Sequence, residues 1–215
     1  MRRRSRGRSG QAMVELAIIL PLMMILFLGS WTAAGLIGDN DTALQATRAG
    51  ARYAAELGGA TPASVTVTSC TTATDPDTCQ VDQDIIDQVL PVVSGNMPNA
   101  VVTEIDIYQP GGSGSDCTFP GTTLAPCPPD NGAYLPGDPI DVYGISGTTV
   151  TVPSAYSSSC SLAPTGCYPL SLRTQTHPFE AELGVRITFS YTSPTLSMFT
   201  QTDSRYTVVR LAPME

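Results

Sequence analysis

Residues 9–37 read SGQAMVELAIILPLMMILFLGSWTAAGLI, and this stretch decides how the rest of the chain is arranged. From Leu16 to Gly38 it carries no charge. One helix of ~20 apolar residues crosses a bilayer core of ~30 Å, so the run is long enough to span. Arg2, Arg3, Arg4, Arg6 and Arg8 precede it, and Asp39 and Asp41 are the first charges beyond it. Basic flanks stay on the cytoplasmic side, which sets the N-terminus inside and the bulk of the chain outside. Glu15 breaks the apolar pattern at the cytoplasmic edge. An ionisable group there is costly and points by default to function.

The charge distribution agrees with that topology. The net charge is -8, yet the first eight residues hold five arginines and the chain contains no lysine. No basic patch interleaved with aromatics follows the apolar run, so no nucleic-acid partner is expected. All six cysteines lie beyond the run: Cys70, Cys79, Cys117, Cys127, Cys160 and Cys167. An even count on the exported side predicts disulfides formed in an oxidising compartment. Six cysteines allow 15 pairings. Sequential pairs, Cys70–Cys79, Cys117–Cys127 and Cys160–Cys167, are favoured because each closes a short loop rich in Thr, Pro, Ser or Gly. A metal site is disfavoured. The spacings are not CxxC, and the single histidine, His177, precedes a proline.

Residues 1–10 form a basic leader. One reading is a topogenic signal alone. The sharper one is a peptidase site after Gly10, which makes Gln11 the first mature residue and Glu15 the fifth. A small residue, a short spacing and a carboxylate opening an apolar helix have the layout of a type IV prepilin signal. Cleavage exposes an α-amino group at Gln11, and a neighbouring subunit's Glu15 can pair with that amine. Such pairing offsets the cost of a carboxylate near lipid. Without it, Glu15 snorkels to the interface.

The apolar run contains Pro21, which a membrane helix tolerates where local partners re-satisfy the backbone. Gly29, Ser30, Ala33, Ala34, Gly35 and Gly38 make the outer half suited to close helix contacts. DNDTALQATRAGARYAAEL, residues 39–57, continues as a helix. Ala43, Ala46, Ala49 or Gly50, Tyr53, Ala54 and Leu57 recur at three- and four-residue spacing. Arg48 and Arg52 fall on a solvated face with Glu56, and Gly58 and Gly59 supply the stop.

These motifs resemble the TadE/TadG-like family, pseudopilin-type proteins of tight-adherence (Flp) pilus assembly. The correspondence is carried by Gly10, by Val14-Glu15-Leu16-Ala17, by Leu20-Pro21 and by Thr47-Arg48-Ala49-Gly50-Ala51-Arg52-Tyr53. It covers roughly the first quarter of the chain. Leu16 stands where major Flp pilins usually carry tyrosine. With the large exported part, that departure favours a TadE-like minor protein over a filament subunit. The resemblance implies processing by a prepilin-type peptidase, assembly through Glu15, and other pilin or pseudopilin subunits as partners at the membrane.

The exported part, residues 60–215, is predicted to be α+β with an antiparallel sheet and disulfide-pinned loops. Residues 62–70 alternate valine and threonine as a strand does. Residues 81–93 read as an acidic helix limited by Pro91, with Val81, Ile85, Val89 and Leu90 inward. Residues 100–110 form a strand with Val101, Thr103, Ile105 and Ile107 on one face. One or two short strands follow in residues 139–153. Residues 110–139 and 153–179 are irregular loops. The clearest strand is residues 182–192, where Leu183, Val185, Ile187, Phe189 and Tyr191 alternate with polar neighbours. Residues 193–199 make a turn or short helix, and residues 204–215 a last strand. The resemblance adds that TadE-like exported parts likewise end in strand, turn and strand.

A catalytic centre needs a nucleophile with a base, paired acids or metal ligands. With one histidine, any Ser-His-Asp arrangement must use His177, which reads better as a surface loop residue. Asp75 with Asp77, and Asp138 with Asp141, lack the Gly and Glu placement of a calcium loop and read as turn residues. No enzyme and no cofactor is expected. The sequence thus divides into a leader over 1–10, a membrane helix over 11–38, an amphipathic continuation over 39–59 and the exported domain. The competing reading is a secreted or anchored binding module, released by a signal-peptidase cut near Ala34. The length of the apolar run and its direct passage into an amphipathic helix weigh against that. A reporter fused after Glu215 is expected to be active only outside the cytoplasm. Activity inside would overturn the topology and the disulfides together.

Overall fold

The apolar run and the alanine-rich segment behind it fold as one helix, α1 (Arg8–Leu57), which passes through Pro21 without ending. The computed structural model describes residues 8–57, 59–68, 70–71, 73, 75–110, 139–151, 168–176, 180–194 and 199–213. A second helix, α2 (Pro76–Val93), precedes strands β1 (Ala100–Tyr108), β2 (Ile140–Ser146) and β3 (Thr149–Thr151). A 3₁₀ turn at Leu170–Leu172 comes next, then β4 (Glu182–Thr192) and β5 (Thr200–Arg210). The strands form one sheet in the order β3-β2-β1-β4-β5, with every neighbouring pair antiparallel. The fold is α+β as expected: both helices cover one face of an antiparallel sheet.

β4 is the centre of the core. Leu183, Val185, Ile187, Phe189 and Tyr191 alternate along it, and all are fully buried. This is the period-2 pattern of a strand with one face on the core. Ile105 and Ile107 of β1 and Tyr143 of β2 continue that face, while α2 contributes Val81, Ile85, Ile86, Val89, Leu90 and Val93. On the opposite face, the Tyr108 ring lies so close over Gly184 that any Cβ there would overlap it.

The outer half of α1 closes the core with small residues. Ala43, Ala46, Thr47, Gly50, Ala51 and Ala54 are buried, whereas Arg48, Arg52 and Glu56 are exposed. Gly50, not Ala49, is the buried member of the stripe, and Leu57 is exposed instead of inward. A Cβ on Gly50 would stand 2.6 Å from Val89 Cγ2 and 3.5 Å from Val185 Cγ1. β5 runs beside α1 in the same direction. Thr47 Oγ1 and Thr207 Oγ1 share a hydrogen bond of 2.8 Å, and the Ala212 N–H donates to Ala55 O at 2.6 Å.

Several local expectations need correction. No strand forms among the described residues of 62–70. The backbone N–H groups of Thr66 and Val67 donate to one side-chain oxygen, Gln80 Oε1, at 2.7 and 2.9 Å, so they are not offered to a neighbouring strand. α2 starts five residues before the expected Val81. Asp75 caps it by accepting from Thr78 N and Thr78 Oγ1, and Pro76 occupies the first turn, where a missing N–H costs nothing. Pro91 does not end it, since the Ser94 N–H still reaches Leu90 O at 2.8 Å. β1 does not keep one face. A register shift between Val102 and Glu104 turns Val101 out and Val102 in before Ile105 and Ile107 face the core. β5 begins at Thr200, four residues before the expected start.

Gly50→Val is expected to lower stability by ~1–3 kcal/mol through overpacking. The melting midpoint should fall by about 2–4 °C for each kcal/mol lost. Thermal unfolding followed by circular dichroism checks this, with Ala49→Val, one position off the buried stripe, as the milder control.

Candidate assembly surface on the N-terminal helix

α1 has two unlike halves. From Ala12 to Trp31 it meets almost nothing: Leu16, Ile18, Leu20, Leu22, Met23, Ile25, Phe27 and Trp31 are all exposed. Its apolar stretch is long and hydrophobic enough to cross a membrane, with none of that stretch buried inside the fold. An exposed apolar surface of that size marks an interaction with lipid or another protein. The polar side chains within it are satisfied by their own helix. Ser30 Oγ donates to Leu26 O at 2.8 Å and Thr32 Oγ1 to Leu28 O at 3.0 Å. Such back-bonding suits a helix placed where water is absent.

The domain takes hold at Thr32. Tyr191 Oη, at the end of β4, donates to Thr32 O at 3.1 Å, and Thr32 Oγ1 lies 3.2 Å from Ser193 Oγ. Gly35 leaves room for this contact, because a Cβ there would meet Tyr191 Oη at 2.9 Å. One turn on, Asp39 is buried and accepts a hydrogen bond from the backbone of Asn99, just before β1. Asn40 Nδ2 donates back to Leu36 O at 2.9 Å. The helix therefore enters the domain through polar contacts with the ends of β4 and β1.

Glu15 is exposed on the free half, 17 positions and about 25 Å below Thr32 at the helical rise. Gly10 and Gln11 lie in the first turn of α1. Cys70 and Cys79 form a disulfide with both residues buried and a Cα–Cα distance of 5.5 Å. Cys117, Cys127, Cys160, Cys167, His177 and Asp138 lie outside the described residues. Among the described residues, no group of three or more His, Cys, Asp or Glu is placed to hold a metal.

One charged cluster was missed by the sequence reading. Arg173, 1 % exposed, donates to Asp82 Oδ1 at 2.5 Å, Asp141 Oδ2 at 2.9 Å and Tyr168 O at 2.6 Å. Its guanidinium also sits 4.7 Å from the centre of the Tyr168 ring. Tyr143 Oη donates to Asp82 Oδ2 at 2.8 Å, and the Tyr168 N–H to Asp141 Oδ1 at 2.8 Å. Asp141 is thus a buried strand residue of β2 and not a turn residue. Burial and the neighbouring Asp82 push its carboxyl well above the usual range, against the pull of Arg173 and the Tyr168 N–H. The cluster is sealed from solvent, so it cannot meet a substrate. It joins α2, β2 and the 168–176 segment, and removing its one cation would leave two buried acids uncompensated. A signal was present in the sequence. Asp82 follows Val81 on the apolar side of α2, and Arg173 is the sole arginine between Arg52 and Arg186.

Together these features define an α+β protein whose long N-terminal helix has an exposed apolar half, a candidate membrane anchor. Residues 10–52 match the family model for TadE-like proteins, in agreement with the motifs noted above. That family is one of pilus components, and the match spans the exposed half of α1 and nearly all of its buried stripe. No curated protein and no solved structure gives a match.

A pH-dependent prediction concerns the other sheet face. Asp106 is buried on β1 and bonds Arg186 Nε at 2.6 Å. Burial raises its pKa to about 7, with Arg186 lowering it and Glu104 raising it. The folded state therefore holds this proton more tightly than the unfolded chain. Its contribution favours folding at acid pH and is lost as pH rises from the ordinary carboxylate range through about 7. Thermal midpoints measured between pH 4 and 8 should decline less steeply in Asp106→Asn than in the parent.

Proposed function

We propose that this chain is a TadE-like pseudopilin, or minor pilin, of a Flp-type tight-adherence pilus system. The N-terminus is cytoplasmic, α1 crosses the cell membrane once, and the α+β domain is extracytoplasmic. The observation that carries this reading is the coincidence of the family match with the one helix that is exposed and apolar below and part of the core above. Such a helix offers a membrane-level surface for packing against other pilin or pseudopilin helices, and a domain held rigidly on top of it.

Prepilin-type processing after Gly10 would free the amine of Gln11, leaving Glu15 as the fifth mature residue. A carboxylate at the edge of a low-dielectric layer is stabilised by pairing with a cation, and the mature amine of a neighbouring subunit is the natural one. The three sequential disulfides complete the exported domain, with Cys70–Cys79 present among the described residues. The competing idea of a release cut near Ala34 fits the fold poorly. Such a cut would divide α1 and remove Thr32, which Tyr191 and Ser193 grip.

The test separates cleavage from assembly. Gly10→Leu should block processing, because a bulky residue cannot replace the small one before the cut. Glu15→Ala should be cleaved nearly as well as the parent yet give fewer crosslinks to partner subunits, or no pili. A mature protein beginning near Gly35, with Glu15→Ala unchanged in every respect, would transfer the case to the released binding module.

A further inference from the structure

The end of the sheet nearest the exposed helix half is built without charge. Its last rungs are Val101–Ser190–Thr202 and Ala100–Tyr191–Gln201, with Thr192–Thr200 beyond them. The first charged residue met along β5 is Asp203. Two large apolar side chains project from this rim: Val101 is 61 % exposed and Phe199 45 %. At the same level of α1, Trp31 is 60 % and Ile37 61 % exposed.

The helix fixes the height of this rim relative to a bilayer. The roughly 20 residues from Ala12 to Trp31 reach about 30 Å, the thickness of a hydrocarbon core. Glu15, near their lower end and retained after a cut following Gly10, resists sliding the span further down the helix. Thr32, the next residue up, is already bonded to Tyr191 and Ser193. The Ser193 N–H in turn donates to Phe199 O at 3.0 Å, which holds Phe199 near the level of Thr32. No linker lifts the domain clear, since α1 continues unbroken to Leu57. Trp31 falls at the depth where aromatic residues collect at the interface between membrane and water.

We propose that the uncharged rim of the sheet is a lipid-contact surface, with Phe199 and Val101 seated among the headgroups of the outer leaflet. The surface continues that of the anchor helix, and its partner is the bilayer itself. The membrane span then ends near Trp31, several residues before the loss of apolar character at Gly38. The proposal rests on the reading of α1 as a membrane anchor, and the test keeps the two apart.

Full-length protein is reconstituted in phosphatidylcholine–phosphatidylglycerol vesicles in which some lipids carry bromine high on the acyl chains. Trp31 is the sole tryptophan, so the parent reports on the anchor. A Trp31→Phe background then receives Phe199→Trp, Val101→Trp or, at the far end of α1, Leu57→Trp. Phe199→Trp and Val101→Trp should be quenched by the brominated lipid, and both should be severalfold less accessible to aqueous acrylamide than Leu57→Trp. Equal acrylamide quenching at all three, with Trp31 still quenched by lipid, overturns the rim contact and leaves the anchor. Shielding of the rim from both quenchers assigns it to a protein contact and also overturns the proposal. A Trp31 untouched by brominated lipid removes the anchor and the proposal together. The two rim probes sit on exposed positions, so one misfolded variant, recognised by its circular dichroism, leaves the other to decide.

Discussion

The close approach of α1 to the sheet and to α2 is the constraint on which the rest of this structure depends. It is possible because one stripe of the helix carries only small side chains, with Gly50 against Val89 and Val185 at its centre. Apolar packing of this kind is dense and leaves little slack for added methylenes. The helix therefore cannot tilt freely relative to β4. The same rigid cylinder that closes the core projects downward as an exposed apolar rod. The exposed rod and the domain share one element, and their relative height follows from the helical rise.

Polar chemistry then specifies which surfaces meet. At the lower edge, Tyr191, Ser193 and Asp39 fasten the helix to the ends of β4 and β1. At the far side, the Arg173 cluster ties α2 to β2 through two buried carboxylates. Buried ion pairs of this sort are weak contributors to net stability compared with apolar packing, but they punish any arrangement that separates them. The buried Cys70–Cys79 disulfide and the grip of Gln80 on residues 66 and 67 hold the lead-in to α2 without a strand.

Much of this was legible from residue pattern. The uncharged run from Leu16, the alanine spacing behind it and the strict alternation in residues 182–192 each have one strong periodic signal, and each forms the expected element. Failures came where a single side chain outweighed the pattern. Val65 and Val67 look like a strand, but Gln80 takes the amides a strand would need. Val101 and Thr103 share a period with Ile105, but a bulge changes the face between them. The Asp75-Pro76 start of α2 was a readable cap that a nearby cysteine loop obscured. The Arg173 cluster joins residues some 90 positions apart, 91 for Arg173 and Asp82, and no local spacing announces such a contact. The residues proposed for processing and assembly were legible only as a motif. Gly10, Gln11 and Glu15 belong to the first turns of α1, and the roles proposed for them rest on chemistry at a membrane edge.

The account turns on α1 being one rigid helix from its exposed apolar half into the core. Amide hydrogen exchange on the full-length protein in lipid nanodiscs measures this directly. Unbroken slow exchange from Thr32 through Ala54, matching that of β4, is the predicted result. A rapidly exchanging break between Gly35 and Ala43 would mean a hinged domain on a separate anchor, and would contradict it.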